Sequence, residues 1–441
     1  MKILLIQPPF EDFYATPIRL YPLGILYAAS VLEGAGCEVA VLDCLWPLAK
    51  HQRPVPDEMG YLRPYLDHPL FFKGYYRFGL SEKDIIQRIK DFRPDFIGIS
   101  SQFTAYFQSV AELARVIKRE YELPIFVGGH HATAFPAEIR QKSAEIDFIL
   151  QGPAEQSLPG FLAQQGIATG PAAPDWSEVQ PSRELLAGGH YRIGRKNYMS
   201  LIASRGCPFR CDFCSVGRMF GRKITYRSLE NVLADMRLGY LRDDVRIFNF
   251  EDDNLSFDRA WFSEFLGAVA ADPILRGAEL TAMNGLCSQT LDEKVLAPMW
   301  EAGFRNLNLS LVTLDPEVKA GYHRLAENKD FEALIRAAKK LGFFVTVYVI
   351  IGLPGQSAEE IRESMDYLWR LGVLVGPSVF YIPPASPLFV RLEIDPSVRN
   401  AWGLYRSSAF AVETAALSRR QLIDLFLYAR QKNLELKKKI R

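Results

Sequence analysis

Cysteine is scarce in this chain, six in 441 residues, so any clustering of cysteines is not background. Histidine is equally scarce, also six, and two long stretches lack it: Gln7 to Gly24, and Tyr191 to Asp253. Charge of one sign is lacking too. Lys and Arg number 52 against 51 Asp and Glu, a net charge of +1 with a pI near 7.6. That balance removes any global argument for a nucleic-acid or anionic-membrane partner, and the Lys437-Lys438-Lys439 run reads as a solvated helix end. No run of eighteen apolar residues is present, so no transmembrane helix is expected. Met1 to Gln7 carries one Lys and a short apolar run with no cleavage-type site, which suits a strand better than a signal peptide. A cytoplasmic, reduced setting is the expectation. Low-complexity tracts are absent, apolar residues make up 49%, and the length predicts two or three domains.

Three of the six cysteines fall within eight residues, in Ser204-Arg-Gly-Cys207-Pro-Phe-Arg-Cys211-Asp-Phe-Cys214, spaced C-x3-C-x2-C. Three thiolates on one short loop can grip a soft metal centre. A 4Fe-4S cluster has four irons, each wanting one ligand, so three cysteines leave one iron open to a substrate or cofactor. Electron-transfer clusters are usually closed by four cysteines. Two blander readings compete. Three buried free thiols would need no particular spacing. A structural zinc site wants four closed ligands, and with no fourth Cys or His between Tyr191 and Asp253 it would need a distant one such as Cys287 or His323.

Taken in order, the chain opens on an apolar run, Lys2 to Gln7, stopped by Pro8-Pro9, which suits a buried parallel strand. Leu23 to Leu32 reads as a helix closed by Gly34 and Gly36, and Glu38 to Leu42 as a strand. Cys44 to Leu80 is a long insertion rich in Pro, Tyr, Phe and His, a length more often functional than idle. Ser81 is placed to cap a helix reaching Phe92. Further strands are predicted at Asp95–Ser100, Pro124–Val127 and Asp147–Leu150, with a helix over Phe107–Glu120. This alternation predicts a doubly wound parallel sheet, whose ligands sit beyond the carboxyl ends of the strands. Gln7, Ser100-Ser101 and Gly128-Gly129-His130 fall at such ends.

Residues 161–196 read as a linker, since Gly166 to Pro174 has the composition of a boundary. Asn197 to Ala203 is then a strand that delivers the cysteine loop at its carboxyl end. Strands follow at Val245–Phe250, Glu279–Ala282, Asn306–Leu311, Phe344–Ile350 and Ser378–Tyr381, separated by helical patterns. Six βα units predict a partial (β/α)6 barrel with its active groups at the carboxyl ends of the strands. A helix from Arg419 to Lys438, with Leu422, Leu425, Phe426 and Leu434 at helical spacing, is expected to pack on that barrel. The domains expected are thus 1–160, a linker over 161–196, a barrel over 197–390 and a helical tail over 391–441.

The cysteine loop, with Phe213 before its last cysteine, resembles the radical S-adenosylmethionine (radical SAM) superfamily. The first half resembles the cobalamin-binding domain found ahead of many radical SAM domains, through Gly98-Ile-Ser100-Ser101 after one strand and Gly128-Gly129 after the next. Glu251-Asp252-Asp253-Asn254 after the second barrel strand, Ile350-Ile351-Gly352-Leu353-Pro354-Gly355 after the fifth, and Tyr381-Ile-Pro-Pro-Ala-Ser-Pro-Leu-Phe389 after the sixth are similar to the family's pattern.

The resemblance implies three cofactors: a 4Fe-4S cluster on Cys207, Cys211 and Cys214, S-adenosylmethionine on its open iron, and cobalamin. It implies S-adenosylmethionine contacts at Phe213, Asp252, Asp253, Asn284, Ser310, Ile351, Gly352 and Tyr381. It implies cobalamin contacts at Gln7, Ser100, Ser101, Gly128, Gly129 and His130. The activity implied is reductive cleavage of S-adenosylmethionine to a 5'-deoxyadenosyl radical, used to methylate an unactivated carbon or phosphorus by way of methylcobalamin. A cyclisation, ring contraction or rearrangement with the same cofactors is the alternative, and a non-catalytic sensor is the reading from another class. The partners implied are a small-molecule or natural-product substrate and a reductant protein such as flavodoxin or ferredoxin. Two departures stand out. The Gln7–Gly24 loop lacks the cobalt-ligating His of D-x-H-x-x-G domains, which leaves the lower face of cobalt vacant, occupied by water or covered by a side chain such as Tyr14, Arg19 or Tyr21. Strand four ends in Ser310-Leu-Val-Thr313, where relatives often place Glu-Ser.

Overall fold

The computed structural model describes residues 1–14, 21–46, 48–167, 174–186, 191–324 and 330–440. Arg19 and the centre of the expected linker, residues 168–173, lie outside the described residues. Two compact units are present. The first comprises Met1–Asp67, Phe72–His190 and Pro396–Tyr405; the second comprises His68–Phe71, Tyr191–Asp395 and Arg406–Arg441.

The first unit is built on a five-stranded, wholly parallel sheet in the order Glu38–Asp43, Lys2–Gln7, Phe96–Ser100, Ile125–Gly128, Phe148–Ile149. Its three central strands are buried on both faces, which is why they read as continuous apolar runs. Leu4, Ile6, Ile97, Ile99 and Val127 join one core with residues of the helices Glu82–Phe92 and Phe107–Glu120. Ile3, Leu5, Val39 and Phe126 join the other with residues of Leu23–Gly34 and Ala154–Gln164. Phe161 and Leu162, which the composition placed at the start of the linker, are buried in this second core. Ser81 caps its helix as expected, its hydroxyl accepting from the Asp84 amide at 3.2 Å.

The insertion is not an irregular loop. Lys50–Arg53 and Tyr75–Phe78 pair antiparallel and add to Phe10–Asp12 in a small three-stranded sheet. Phe10 stacks on Phe78 at 5.1 Å, and buried Asp12 accepts from the Tyr106 hydroxyl at 2.5 Å.

The second unit carries six parallel strands: Lys196–Leu201, Val245–Phe250, Glu279–Thr281, Asn306–Val312, Phe344–Ile351 and Leu374–Val379. Isolated bridges, Leu280 to Phe304 and Leu286 to Leu309, connect the first three to the last three. The sixth strand begins four residues before its predicted start at Ser378 and ends at Val379. Gly376-Pro377 reads as a turn in sequence, yet Pro377 sits in the outermost strand of its sheet, where a missing N–H is tolerated. That edge is closed by the helix Arg419–Ile440: Asn433 accepts from the Val375 amide at 3.0 Å and donates to its carbonyl at 2.7 Å. Leu422, Leu425 and Phe426 of this helix are buried as expected, but Leu434 is 45% exposed. Among the described residues, no helix is long and apolar enough to cross a membrane.

Candidate cofactor site

The cysteine loop leaves the first barrel strand through a short hairpin, Ser204 pairing Tyr226 and Arg205 pairing Thr225. Gly206 turns the chain at φ +90, where a side chain's first carbon would stand 2.5 Å from the Lys223 carbonyl. Only glycine fits both constraints. Carboxylates from the end of the second strand then hold the loop. Asp252, buried, accepts from the Ala203 amide at 3.1 Å and from the Ser204 hydroxyl at 2.6 Å. Asp253 accepts from the Gly206 amide at 3.0 Å. Burial pushes the Asp252 carboxyl up to about 7 against the pull of these donors, and raises Asp253 as well.

The three thiols lie close enough to feel one another. Burial pushes Cys214 up to about 11, and the Cys211 and Cys207 charges add to it; burial also raises Cys207. Among the described residues no three metal-ligating side chains converge on a single ion. In a cluster each of the three thiolates would take its own iron, whereas one zinc ion would need a fourth ligand. The surrounding donors fit thiolates. Asn254 Nδ2 points to Cys207 Sγ at 3.8 Å, while its buried Oδ1 has no partner among the described residues. Arg324 Nη1 reaches Cys211 Sγ at 4.0 Å, and its Nη2 donates to the Ser310 carbonyl at 2.6 Å. Asp212, inside the loop, is held by Arg391 and lies 3.0 Å from His323 Nδ1, so His323 is engaged away from the thiols. Cys287 donates to Gln289 at 2.6 Å.

The other expected contacts of this unit divide into two groups. Asn284 is exposed and donates to Glu251 Oε2 at 2.6 Å; the other Glu251 oxygen accepts from Asn249 and, at 3.3 Å, from Ser200. Ser200 and Asn249 are register partners, so this polar row follows the inward face of adjacent strands. Tyr381 is 40% exposed, and Phe213 packs its ring on Tyr322 at 6.0 Å. Ser310 sits where the register slips before Val312, a β-branched residue at φ +76. Ile351, by contrast, is fully buried, and Gly352 makes room for Leu422 of the last helix, 2.8 Å from where a first side-chain carbon would lie. Gln356 braces this turn, its side-chain oxygen accepting from the amides of Gly352 and Leu353. Glu251, Asn249, Ser200, Asn254, Arg324 and Gln356 were not singled out from the sequence. Glu251 and Asn254 stood within the quoted acidic stretch, but only the structure shows which of its four side chains serve the loop and which face the open row.

In the first unit, Gln7, Ser100 and Gly128 end neighbouring strands at the point where the strand order reverses, the place such sheets bind ligands. Ser101 is buried and its hydroxyl has no partner among the described residues. Gly129, at φ +116, lies against the Ser101 carbonyl, where a side chain would come within 2.8 Å. An unfilled buried hydroxyl beside a glycine-lined strand end fits a bulky ligand tail. His130 is exposed. His131 is boxed between Phe107, Phe135 and Trp402, with Nδ1 3.0 Å from the Thr104 hydroxyl, and burial lowers its pKa to about 3. Tyr21 accepts from Arg183 at 2.9 Å, and Tyr14 packs edge-on to Phe72.

Comparison with known proteins agrees with both halves. The B12 binding domain family model matches residues 73–162, and the Radical SAM superfamily model matches residues 201–368. The chain is 27% identical to the cytidylyl-2-hydroxyethylphosphonate methyltransferase of Streptomyces wedmorensis, over 95% of this chain and 89% of that protein. It is 25% identical to the hopanoid C-3 methylase of Methylococcus capsulatus, over 86% of this chain and 70% of that protein. Among solved structures, the radical S-adenosylmethionine methyltransferase TsrM from Kitasatospora setae, with cobalamin and a [4Fe-4S] cluster bound, superposes with a TM-score of 0.66. That match has 18% identity and covers 88% of this chain and 74% of that one. The chain thus carries a B12 binding domain followed by a radical SAM domain that holds the three cysteines.

Proposed function

We propose that the protein is a cobalamin-dependent radical SAM methyltransferase acting on a small molecule. The observation that carries the reading is the three-cysteine loop, with Cys287 bonded to Gln289 instead and a polar row from buried Ser200 and Asn249 to exposed Asn284 on the same barrel. Cys207, Cys211 and Cys214 hold the 4Fe-4S cluster, which with S-adenosylmethionine and cobalamin supplies the one-electron cleavage and the transferable methyl group. The protein's own residues position and insulate. Asp252 and Asp253 fix the loop backbone; Asn254 and Arg324 direct N–H groups at the sulfurs.

Glu251 with Asn284 is the pair we assign to the amino end of S-adenosylmethionine, since a carboxylate facing an ammonium makes a charge-assisted bond and Asp252 is already committed to the loop. Phe213, Ser310, Ile351, Gly352 and Tyr381 form the rest of the surround, Ile351 and Gly352 through backbone. Gln7, Ser100, Ser101, Gly128, Gly129 and His130 hold cobalamin. A bound cobalamin would find no histidine on the loop after Gln7, and His131 is enclosed by aromatic rings. Methyl transfer is preferred over rearrangement because the two relatives above are a methyltransferase and a methylase. A cytoplasmic location suits such a centre.

The test is anaerobic reconstitution with iron, sulfide and cobalamin, followed by S-adenosylmethionine, a reductant and candidate small-molecule acceptors. Methylated product with S-adenosylhomocysteine is expected. Deoxyadenosine without methylation assigns the rearrangement chemistry instead, and neither product sinks both. Paramagnetic resonance of the Co(II) form should lack nitrogen splitting from an axial base.

A further inference from the structure

The segment that carries the cysteines is charged with one sign, although the chain as a whole is balanced. From Arg205 to Arg227 it has six cations and one carboxylate, Asp212. Part of this charge is absorbed internally. Asp212 is taken by Arg391 and His323, Arg227 is buried against Asp235, and Arg205 lies over the Phe220 ring. Arg210, Arg218, Arg222 and Lys223 are different. All four are exposed, and none has a side-chain hydrogen bond or ion pair with another described residue. The fold brings them to the loop. Arg222 lies across Gly217, with Cγ 3.6 Å from where a first side-chain carbon would stand, next to Arg218. The Lys223 backbone touches Gly206, which precedes the first cluster cysteine. Half-buried Met219 and Phe220 stand between these cations in the chain, and Phe209 packs on Phe257, itself 37% exposed.

Unpaired like charges on one short loop repel each other and contribute nothing to its folding. What such a surface does is raise the local potential and steer anionic partners to it. A centre that cleaves its substrate reductively must receive electrons from outside, because the chain has no second cysteine cluster to relay them. Cys37 and Cys44 are buried in the cores of the first unit, and Cys287 donates to Gln289.

We infer that the exposed face of Arg210, Arg218, Arg222 and Lys223 is the docking surface of an acidic one-electron donor protein, of the low-potential flavin or ferredoxin kind. The inference rests on the functional reading above. One electron leaves the reduced donor, which is oxidised by one electron, and enters the three-cysteine centre; no bond forms and no proton moves at the interface. Cations around a small apolar spot suit a weak encounter of the kind electron-transfer partners make.

The test uses the full-length holoprotein and the triple charge reversal Arg218→Glu, Arg222→Glu, Lys223→Glu. S-Adenosylmethionine cleavage is driven in parallel by reduced flavodoxin and by reduced methyl viologen, a small cation that needs no docking. Flavodoxin binding is titrated separately at low and high salt. The expected result is a loss of about tenfold or more in flavodoxin-driven kcat/KM and in flavodoxin affinity, with the steep salt dependence gone. Viologen-driven cleavage and iron content should stay within about twofold of the parent, as expected for a rim that steers rather than reacts. Flavodoxin affinity and rate equal to the parent's overturn the proposal, as does a loss of binding to RNA or anionic vesicles with flavodoxin binding intact. The neutral pair Arg218→Gln, Arg222→Gln repeats the test if the triple variant loses iron. A parent protein that cleaves nothing with viologen defeats the functional reading, while the binding arm still decides the docking surface.

Discussion

Cys207, Cys211 and Cys214 differ from the other three cysteines in what surrounds their sulfurs. Two of them meet N–H groups, from Asn254 and Arg324, whereas Cys287 points at Gln289. Replacing any of the three with Ala should remove the brown absorbance and all deoxyadenosine, while Cys287→Ala keeps both; equal loss in Cys287→Ala would make it a fourth ligand and end the open-iron reading. The acidic stretch divides by the same logic. Glu251→Gln should weaken S-adenosylmethionine binding by about tenfold, the worth of one charge-assisted bond, with iron content unchanged. Asp252→Ala should do the reverse. It strands the Ala203 amide and the Ser204 hydroxyl in a buried place, costing about 1–3 kcal/mol, and should lower cluster occupancy. Asp252→Asn should be milder, because a carboxyl pushed up to about 7 is already half protonated at neutral pH. Iron analysis and calorimetric titration separate these outcomes. The sequence displayed this stretch but gave no means of ranking Glu251 against its neighbours, since which side chain turns to the loop depends on where the strand stops.

At the scale of elements, the strands were legible wherever burial is two-sided and the run is apolar, as in Lys2–Gln7 and Val245–Phe250. Legibility failed where chemistry is ambiguous. Gly376-Pro377 has the composition of a turn and is an edge strand, and that edge is closed by a polar residue from a helix more than fifty positions later. Asn433→Ala should leave the Val375 amide and carbonyl and the Trp369 indole N–H without their partner. A loss of about 1–3 kcal/mol in urea unfolding is expected for these stranded groups, together with faster amide exchange at Val375. Unchanged exchange there would mean that water replaces the side chain.

On the scale of the whole molecule, each compact unit includes a short stretch from a distant part of the chain. Phe71 packs on Phe410 and Phe426 in the second unit, and Trp402 packs on Phe107 and His131 in the first. The His131 box makes the first unit acid-sensitive. Its pKa is lowered from 6.5 to about 3, by burial and then by Lys142, so folding favours the neutral ring. The contribution is intact above about pH 6.5 and is lost as pH falls toward 3. At about 1.4 kcal/mol per unit it amounts to about 2 kcal/mol by pH 5. His131→Phe should flatten the stability of the first unit between pH 7 and 5, and a slope as steep as the parent's would assign the acid response elsewhere. Trp402→Ala should open the same box and destabilise the unit by about 3–5 kcal/mol, the usual cost of emptying an aromatic site.

The sequence by itself determined the chemistry and the order of the parts. Ligand spacing is a property of adjacent residues, and so are the apolar runs of strands and the glycines at their ends. The cysteine loop, the parallel sheet ahead of it and the six βα units could therefore all be read one residue after another. Tertiary structure alone decided which polar side chains share a place. Asp252 beneath the loop, Arg324 beside Cys211, Asn433 along Val375 and Trp402 over His131 join residues 49 to 271 positions apart in the chain. Nothing local marks such a pair, because the energy that selects it comes from burying a donor with its acceptor, and burial exists only once the chain has folded.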